Sequence, residues 1–167
     1  MDAMSGTPAL SPDRVRKVLF VCTGNSCRSV MAEGLLKQYL KAAGKDIQVL
    51  SAGVGTAGGM GPTQETVDVM EREGVDVTLH LSQPAAPNLL RSADLILVMD
   101  DYHRQTILAR HPEVAGKTFL LKAFQAPEPP RDLNIPDPIG QPLEVYEECL
   151  MTIKDAVQRV VQWLTRA

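Results

Sequence analysis

The chain has 167 residues, enough for one domain with a single core and too few for a second full one. Hydrophobic residues make up 44% and charged residues 22%, an ordinary balance for a soluble globular protein, and no apolar run approaches the roughly 18 residues that a membrane span needs. The formal net charge is -3 with Lys and Arg scattered, which argues against the basic footprint of a nucleic-acid or anionic-membrane binder.

Residues 1–14 are rich in Ser, Pro, Ala and Gly and lack the basic start and apolar stretch of a signal peptide. They are expected to be a disordered extension ahead of a domain spanning residues 15–167. Three cysteines, with no CxxC pair and no His/Cys cluster at zinc spacing, indicate neither a disulfide framework nor a metal site. That usage points to a reducing, cytoplasmic compartment.

Residues 15–21 are a short, β-branched apolar run, expected to be a first buried strand. After a Gly/Asn loop, residues 29–43 place Val30, Leu35, Leu36, Tyr39 and Leu40 near helical spacing, and Gly44 ends the helix. Ile47, Val49 and Leu50 read as a second strand. Residues 51–61 read as a loop whose glycines form a mobile rim and lack the spacing of a nucleotide fingerprint. Pro62 opens a helix to about residue 73, closed by Gly74. Residues 84–91 read as a short helix, and the uniformly apolar residues 95–99 as a strand covered on both faces. A helix over residues 101–110 stops at Pro112; residues 118–121 form a fourth strand, and residues 123–140 a proline-rich loop. The last helix, residues 142–164, carries Leu143, Tyr146, Leu150, Ile153, Val157, Val160 and Leu164 along one face. Four strands alternating with helices predict an α/β domain: an open, four-stranded parallel sheet in three layers, with helices on both faces. Ligands of such sheets bind beyond the carboxyl ends of the strands.

The segment Cys22-Thr23-Gly24-Asn25-Ser26-Cys27-Arg28-Ser29 falls at that end of the first strand. A helix N-terminus offers unpaired N–H groups and partial positive charge to an anion. Gly24 and Asn25 tolerate the left-handed backbone that would curl the amides of Thr23, Gly24, Asn25, Ser26 and Cys27 around it. Arg28 can grip two oxygens of a phosphate or sulfate bidentately. The same positive field favours thiolate over thiol at Cys22, and Ser29 can hydrogen-bond the sulfur. A thiolate in line with a cradled phosphorus is a nucleophile for phosphoryl transfer. The leaving group then needs a proton, and local sequence alone leaves Asp100, Asp101, Asp132 and Asp137 as rivals for that role. Cys27 is either a packing residue or a disulfide partner for oxidised Cys22. Cys149 reads as core packing. His80, His103 and His111 stand isolated, with His80 able to buttress the loop.

These residues, with Met31-Ala32-Glu33, Ser51-Ala52-Gly53, the stretch from Ala93 to Asp100 and Asp137-Pro138, resemble the low-molecular-weight protein tyrosine phosphatase family along residues 17–164. The resemblance implies a Rossmann- or flavodoxin-like fold and a cysteine-dependent phosphatase acting on phosphorylated protein side chains through a phosphocysteine intermediate. It implies Cys22 as nucleophile, Arg28 as phosphate clamp, Ser29 as donor to the thiolate, Asp137 as general acid and Asn25 as a brace near Ser51. No metal or organic cofactor is implied. Val30 stands where the family usually has proline, which is expected to loosen the start of the helix. Ile139-Gly140 replaces the aromatic residues that wall the slot in many tyrosine-directed members. Ser26 is small and polar, similar to the threonine of the bacterial protein-arginine phosphatase subgroup. Ser26 and Ile139 therefore lean the expectation toward phosphoarginine, with phosphotyrosine as the alternative. Arsenate reductases resemble this fold too, but their shuttle needs cysteines that are absent between Cys27 and Cys149. A non-catalytic phosphoprotein-binding module would not need both Cys22 and Asp137.

Overall fold

In the computed structural model, which describes residues 10–166, strand β1 (Lys17–Cys22) is apolar and buried from Val18 onward because both its faces are covered. Val18, Phe20 and Cys22 point into a core formed with helices α1 (Arg28–Ala42), α2 (Gln64–Arg72) and α5 (Leu143–Leu164). Leu19 and Val21 point the other way, toward Leu90 of α3 (Pro87–Ser92) and Ile107 of α4 (Asp101–Arg110). The period of two along one strand thus builds a three-layer sandwich.

The sheet is parallel throughout, in the order β2 (Gln48–Gly53), β1, β3 (Leu95–Val98), β4 (Thr118–Leu120). The chain leaves β1 for β2 on one side and then crosses to β3 on the other. A crevice therefore opens at the carboxyl end of β1, where the loop to α1 begins.

Helix ends follow local chemistry. Gly44 has φ 69°, and beside it Lys45 N–H reaches the Leu40 carbonyl at 3.0 Å while Gly44 N–H reaches Lys41 at 3.1 Å. This pair of bonds satisfies carbonyls that the end of α1 leaves free and requires a left-handed residue at Gly44. The Thr63 hydroxyl caps α2, one residue inside the start expected at Pro62.

Several boundaries differ from expectation. Residues 51–53 belong to β2 rather than to the glycine loop, because Ser51, Ala52 and Gly53 pair with Phe20, Val21 and Cys22. Sheet pairing overrides the low strand propensity of Ser, Ala and Gly. Cys22 itself closes β1. Helix α3 starts at Pro87, after Pro84 has bridged to Gly53. Within the expected N-terminal extension, residues 10–14 carry a 3-10 turn at Pro12–Arg14, and Leu10 packs on the core; residues 1–9 lie outside the described residues. Val30 does not loosen α1: the helix runs from Arg28, Met31 N–H bonds the Cys27 carbonyl at 3.0 Å, and Val30 is buried. Among the described residues, no helix is long and apolar enough to cross a membrane.

Candidate active site

The loop from Cys22 to Arg28 is built around Asn25, which is fully buried and adopts φ 54°. Its side-chain Nδ2 donates to Ser29 Oγ at 2.8 Å and to Ser51 Oγ at 2.9 Å, while Oδ1 accepts from Gln83 N–H at 2.9 Å. The Asn25 carbonyl accepts from His80 Nε2 at 2.8 Å, so His80 carries its proton there and does buttress the loop. Ser51 in turn donates to Glu33 Oε1 at 2.5 Å. Such a closed network repays burial of polar groups and holds one strained residue in place.

Cys22 Sγ lies at the centre of this arrangement, 2.9 Å from Ser29 Oγ and 3.3 Å from the Asn25 nitrogen. Because Ser29 Oγ already accepts from Asn25, its own proton is left for the sulfur. Among the described residues, no acceptor meets the amide N–H groups of Gly24, Ser26, Cys27 or Arg28. Unpaired amides at the start of a helix are the anion-binding feature expected there. Gly53 is what lets β2 approach so closely, since a Cβ there would stand 2.4 Å from the Thr23 carbonyl oxygen.

Arg28 opens α1 with its side chain 3% exposed. Nη1 donates to Asp100 Oδ2 at 3.2 Å and to the Ile135 carbonyl at 2.9 Å, and Nη2 stands 3.6 Å from Asp137 Oδ2. With Nη1 taken up by the protein, the Nε–Nη2 edge is the side of the fork left to hold an anion. Asp137 is 40% exposed at the mouth, and its Oδ1 accepts from Ile139 N–H at 3.1 Å. Of the four rival aspartates, Asp100 and Asp137 stand beside Arg28. Asp101 instead accepts from Gln105 on the surface of α4, and Asp132 accepts from Asn134 N–H in an exposed turn. Asp100 is the N-cap of α4, whereas Asp137 caps no helix and stands at the mouth.

Cys27 is buried, with Sγ 3.5 Å from Thr63 Oγ1 and 3.6 Å from the Tyr146 hydroxyl, so α5 is tied to the back of the loop. Burial pushes that hydroxyl up to about 12. Cys149 is a core residue as expected, and burial pushes its thiol up to about 12 as well. All three cysteines are unpaired. Ser26 is part-exposed beside Cys27, and Ile139 is 54% exposed after Asp137.

His103 is the residue that sequence reasoning missed. It is fully buried, its Nδ1 accepts from Asp100 N–H at 3.1 Å, and its Nε2 lies 2.8 Å from Thr23 Oγ1. Burial pulls its pKa down to about 4, with Arg28 adding to the depression and Asp100 and Asp137 opposing it. The available signal was an Asp three residues ahead of it at a strand-to-helix junction, the spacing of a capping box. Gln83 gave no comparable signal, because its contact with Asn25 runs through the backbone.

A buried thiol at the head of a loop with unpaired amides, a guanidinium at the end of that loop and an exposed carboxyl group 3.6 Å from the guanidinium are the parts of a cysteine-dependent phosphatase. The sequence pattern of the family described as low molecular weight phosphotyrosine protein phosphatase matches residues 17–167, and the chain belongs to that family. It is 36% identical over 152 residues to the probable low molecular weight protein-tyrosine-phosphatase EpsP of Ralstonia nicotianae, covering 91% of this chain and 96% of that one. It is 30% identical over 149 residues to the protein-arginine-phosphatase of Bacillus subtilis, covering 89% and 97%. A solved structure of a YwlE mutant from Bacillus subtilis superposes with a TM-score of 0.83 at 29% identity, covering 90% of this chain and 99% of that one.

Proposed function

We propose that this enzyme removes phosphate from phosphoarginine side chains of proteins, through a phosphocysteine intermediate on Cys22. In the first step the Cys22 thiolate attacks phosphorus, the bond from phosphorus to the arginine nitrogen breaks, and Asp137 delivers its proton to that nitrogen. In the second, the Asp137 carboxylate takes a proton from water, the water oxygen bonds phosphorus, the S–P bond breaks and inorganic phosphate leaves. The amides of Thr23, Gly24, Ser26, Cys27 and Arg28 and the Nε–Nη2 edge of Arg28 hold the phosphoryl oxygens, as they would a free phosphate or sulfate ion, while the expected Asn25 amide faces the sulfur instead. Ser29 donates to the sulfur as thiolate and as leaving group. The observation that carries this reading is the 2.9 Å contact of Cys22 Sγ with a Ser29 hydroxyl that accepts from Asn25 and keeps its proton for the sulfur.

Substrate choice rests on two positions. Ser26 leaves room beside the cradle where a bulky aliphatic side chain would not, and Ile139 gives an aromatic substrate ring no stacking partner. Phosphotyrosine is the second reading, favoured by the higher identity to EpsP than to the arginine phosphatase. A parallel assay on phosphoarginine and phosphotyrosine peptides decides between them, with Ser26→Ile alongside. The expected result is faster turnover of phosphoarginine and a shift of the ratio toward phosphotyrosine in the variant; an unchanged ratio removes Ser26 from the account. We place the activity in the reducing cytoplasm, a reading supported by three unpaired cysteines.

A further inference from the structure

Two hydrogen bonds of His103 run in opposite directions along one ring. Nδ1 accepts the backbone N–H of Asp100, so the proton of the neutral ring is on Nε2, and Nε2 donates to Thr23 Oγ1 at 2.8 Å. The ring is completely buried and neutral, so neither bond is exchanged for water. At one end of this bridge is the first turn of α4, whose N-cap Asp100 also receives Arg28 Nη1 through Oδ2 at 3.2 Å. At the other end is the first residue after Cys22. Thr23 has few other ties to α4: its carbonyl accepts Gly55 N–H at 2.9 Å, which fixes it to the β2 side of the crevice.

We infer that His103 is a positioning residue for the phosphatase reaction: it fixes Asp100, which anchors the Arg28 guanidinium from the β3–α4 side of the crevice, and Thr23 of the Cys22 loop at one separation. The inference rests on the phosphatase reading of the site. The amide cradle grips the phosphoryl group from the loop, and Arg28 grips it from a position set by Asp100. A phosphorus atom sits in line with the sulfur only when both grips agree, and an offset of about 1 Å costs on the order of 100-fold in rate. The Asp100 carboxylate accepts the N–H of His103 at 3.2 Å as well, so the capping box and the guanidinium share one anchor. A purely structural cap would need only Nδ1. Nothing about capping requires Nε2 to reach Thr23 across 80 residues of chain.

Side-chain amides separate the two functions of the ring. In His103→Asn the amide oxygen can stand in for Nδ1 and keep the cap, but the side chain stops short of Thr23. In His103→Gln the amide nitrogen reaches the place of Nε2 and the cap acceptor is lost. The experiment measures kcat and KM for p-nitrophenyl phosphate, the inhibition constant of inorganic phosphate and the thermal midpoint. It compares wild type, Cys22→Ser, Thr23→Val, His103→Asn, His103→Gln and the Thr23→Val/His103→Asn double variant. The expected result is a loss of roughly 10- to 100-fold in kcat/KM for Thr23→Val and for His103→Asn. The double variant should be no worse than either single one, phosphate binding should weaken in parallel, and His103→Gln should recover much of the rate. If His103→Asn retains wild-type kcat/KM, or if the Thr23 and His103 effects multiply independently, the inference is overturned. The same holds if His103→Gln is as slow as His103→Asn while Thr23→Val is as fast as wild type. Should His103→Asn unfold, Thr23→Val still tests the bridge from its part-exposed end. A wild type that does not turn over p-nitrophenyl phosphate, or a Cys22→Ser that does, defeats the phosphatase reading itself, which is a separate failure.

Discussion

In the proposed mechanism, Cys22 and Asp137 divide the chemistry between a protected and an open position. Cys22 is 3% exposed, with its sulfur against the Ser29 hydroxyl and the Asn25 N–H, whereas the Asp137 side chain stands at the rim, 40% exposed, beside Arg28 Nη2. A nucleophile gains from exclusion of water, and an acid that must later receive a proton from water gains from access to it. Asp137→Asn should therefore lower kcat about 100- to 10000-fold for substrates with a poor leaving group. The loss should shrink for p-nitrophenyl phosphate, whose leaving group departs without a proton. Steady-state rates across a series of aryl phosphates check this as a steeper dependence on leaving-group pKa in the variant; an unchanged slope would move the acid elsewhere.

At the scale of elements, the strand-loop-helix unit from β1 to α1 was legible because each of its parts has a local cause. An apolar run makes the strand, Gly24 and Asn25 allow the turn, and Gly44 stops the helix where a left-handed residue is needed. Gly44→Ala should cost about 1 kcal/mol of stability. No atom lies within 4 Å of the added Cβ, so the cost is conformational and the activity should be retained. Gly53→Ala should reduce stability and activity together, because its Cβ would push on the Thr23 carbonyl. Urea unfolding with parallel assays separates the two. What was not legible depends on partners far along the chain. Ser51, Ala52 and Gly53 are a strand only because β1 is beside them, and His103 is a site residue only because β1 and β3 are neighbours that carry Thr23 and Asp100 to the same end of the sheet. Asp137 needed the family resemblance, since its flanking Pro136 and Pro138 stiffen the backbone but do not by themselves mark an acid over Asp100, Asp101 or Asp132.

The whole molecule brings residues 22–29, 51–53, 80–83, 100–103 and 135–139 to one end of the parallel sheet, so its stability and its active site share groups. His103 gives a measurable consequence. Its pKa is about 4 in the folded protein against 6.5 as the ordinary value, so the unfolded chain takes up a proton that the folded one refuses. The stability held by the neutral ring is complete above pH 6.5 and declines as pH falls through the window toward 4, by about 1.4 kcal/mol per pH unit at the steepest. Urea unfolding of wild type and His103→Asn at about pH 7.5 and about pH 5.5 should show a smaller acid loss in the variant. Equal losses would mean that another group carries the titration. In the proposed reaction, phosphorus becomes bonded to the Cys22 sulfur during turnover. Rapid quenching of Asp137→Ala during turnover of p-nitrophenyl phosphate, followed by peptide mass spectrometry, tests it most directly. One phosphoryl group is expected on the peptide containing Cys22, lost in Cys22→Ala; turnover with no covalent phosphoryl group, or with one on a different residue, would rule out the phosphocysteine route.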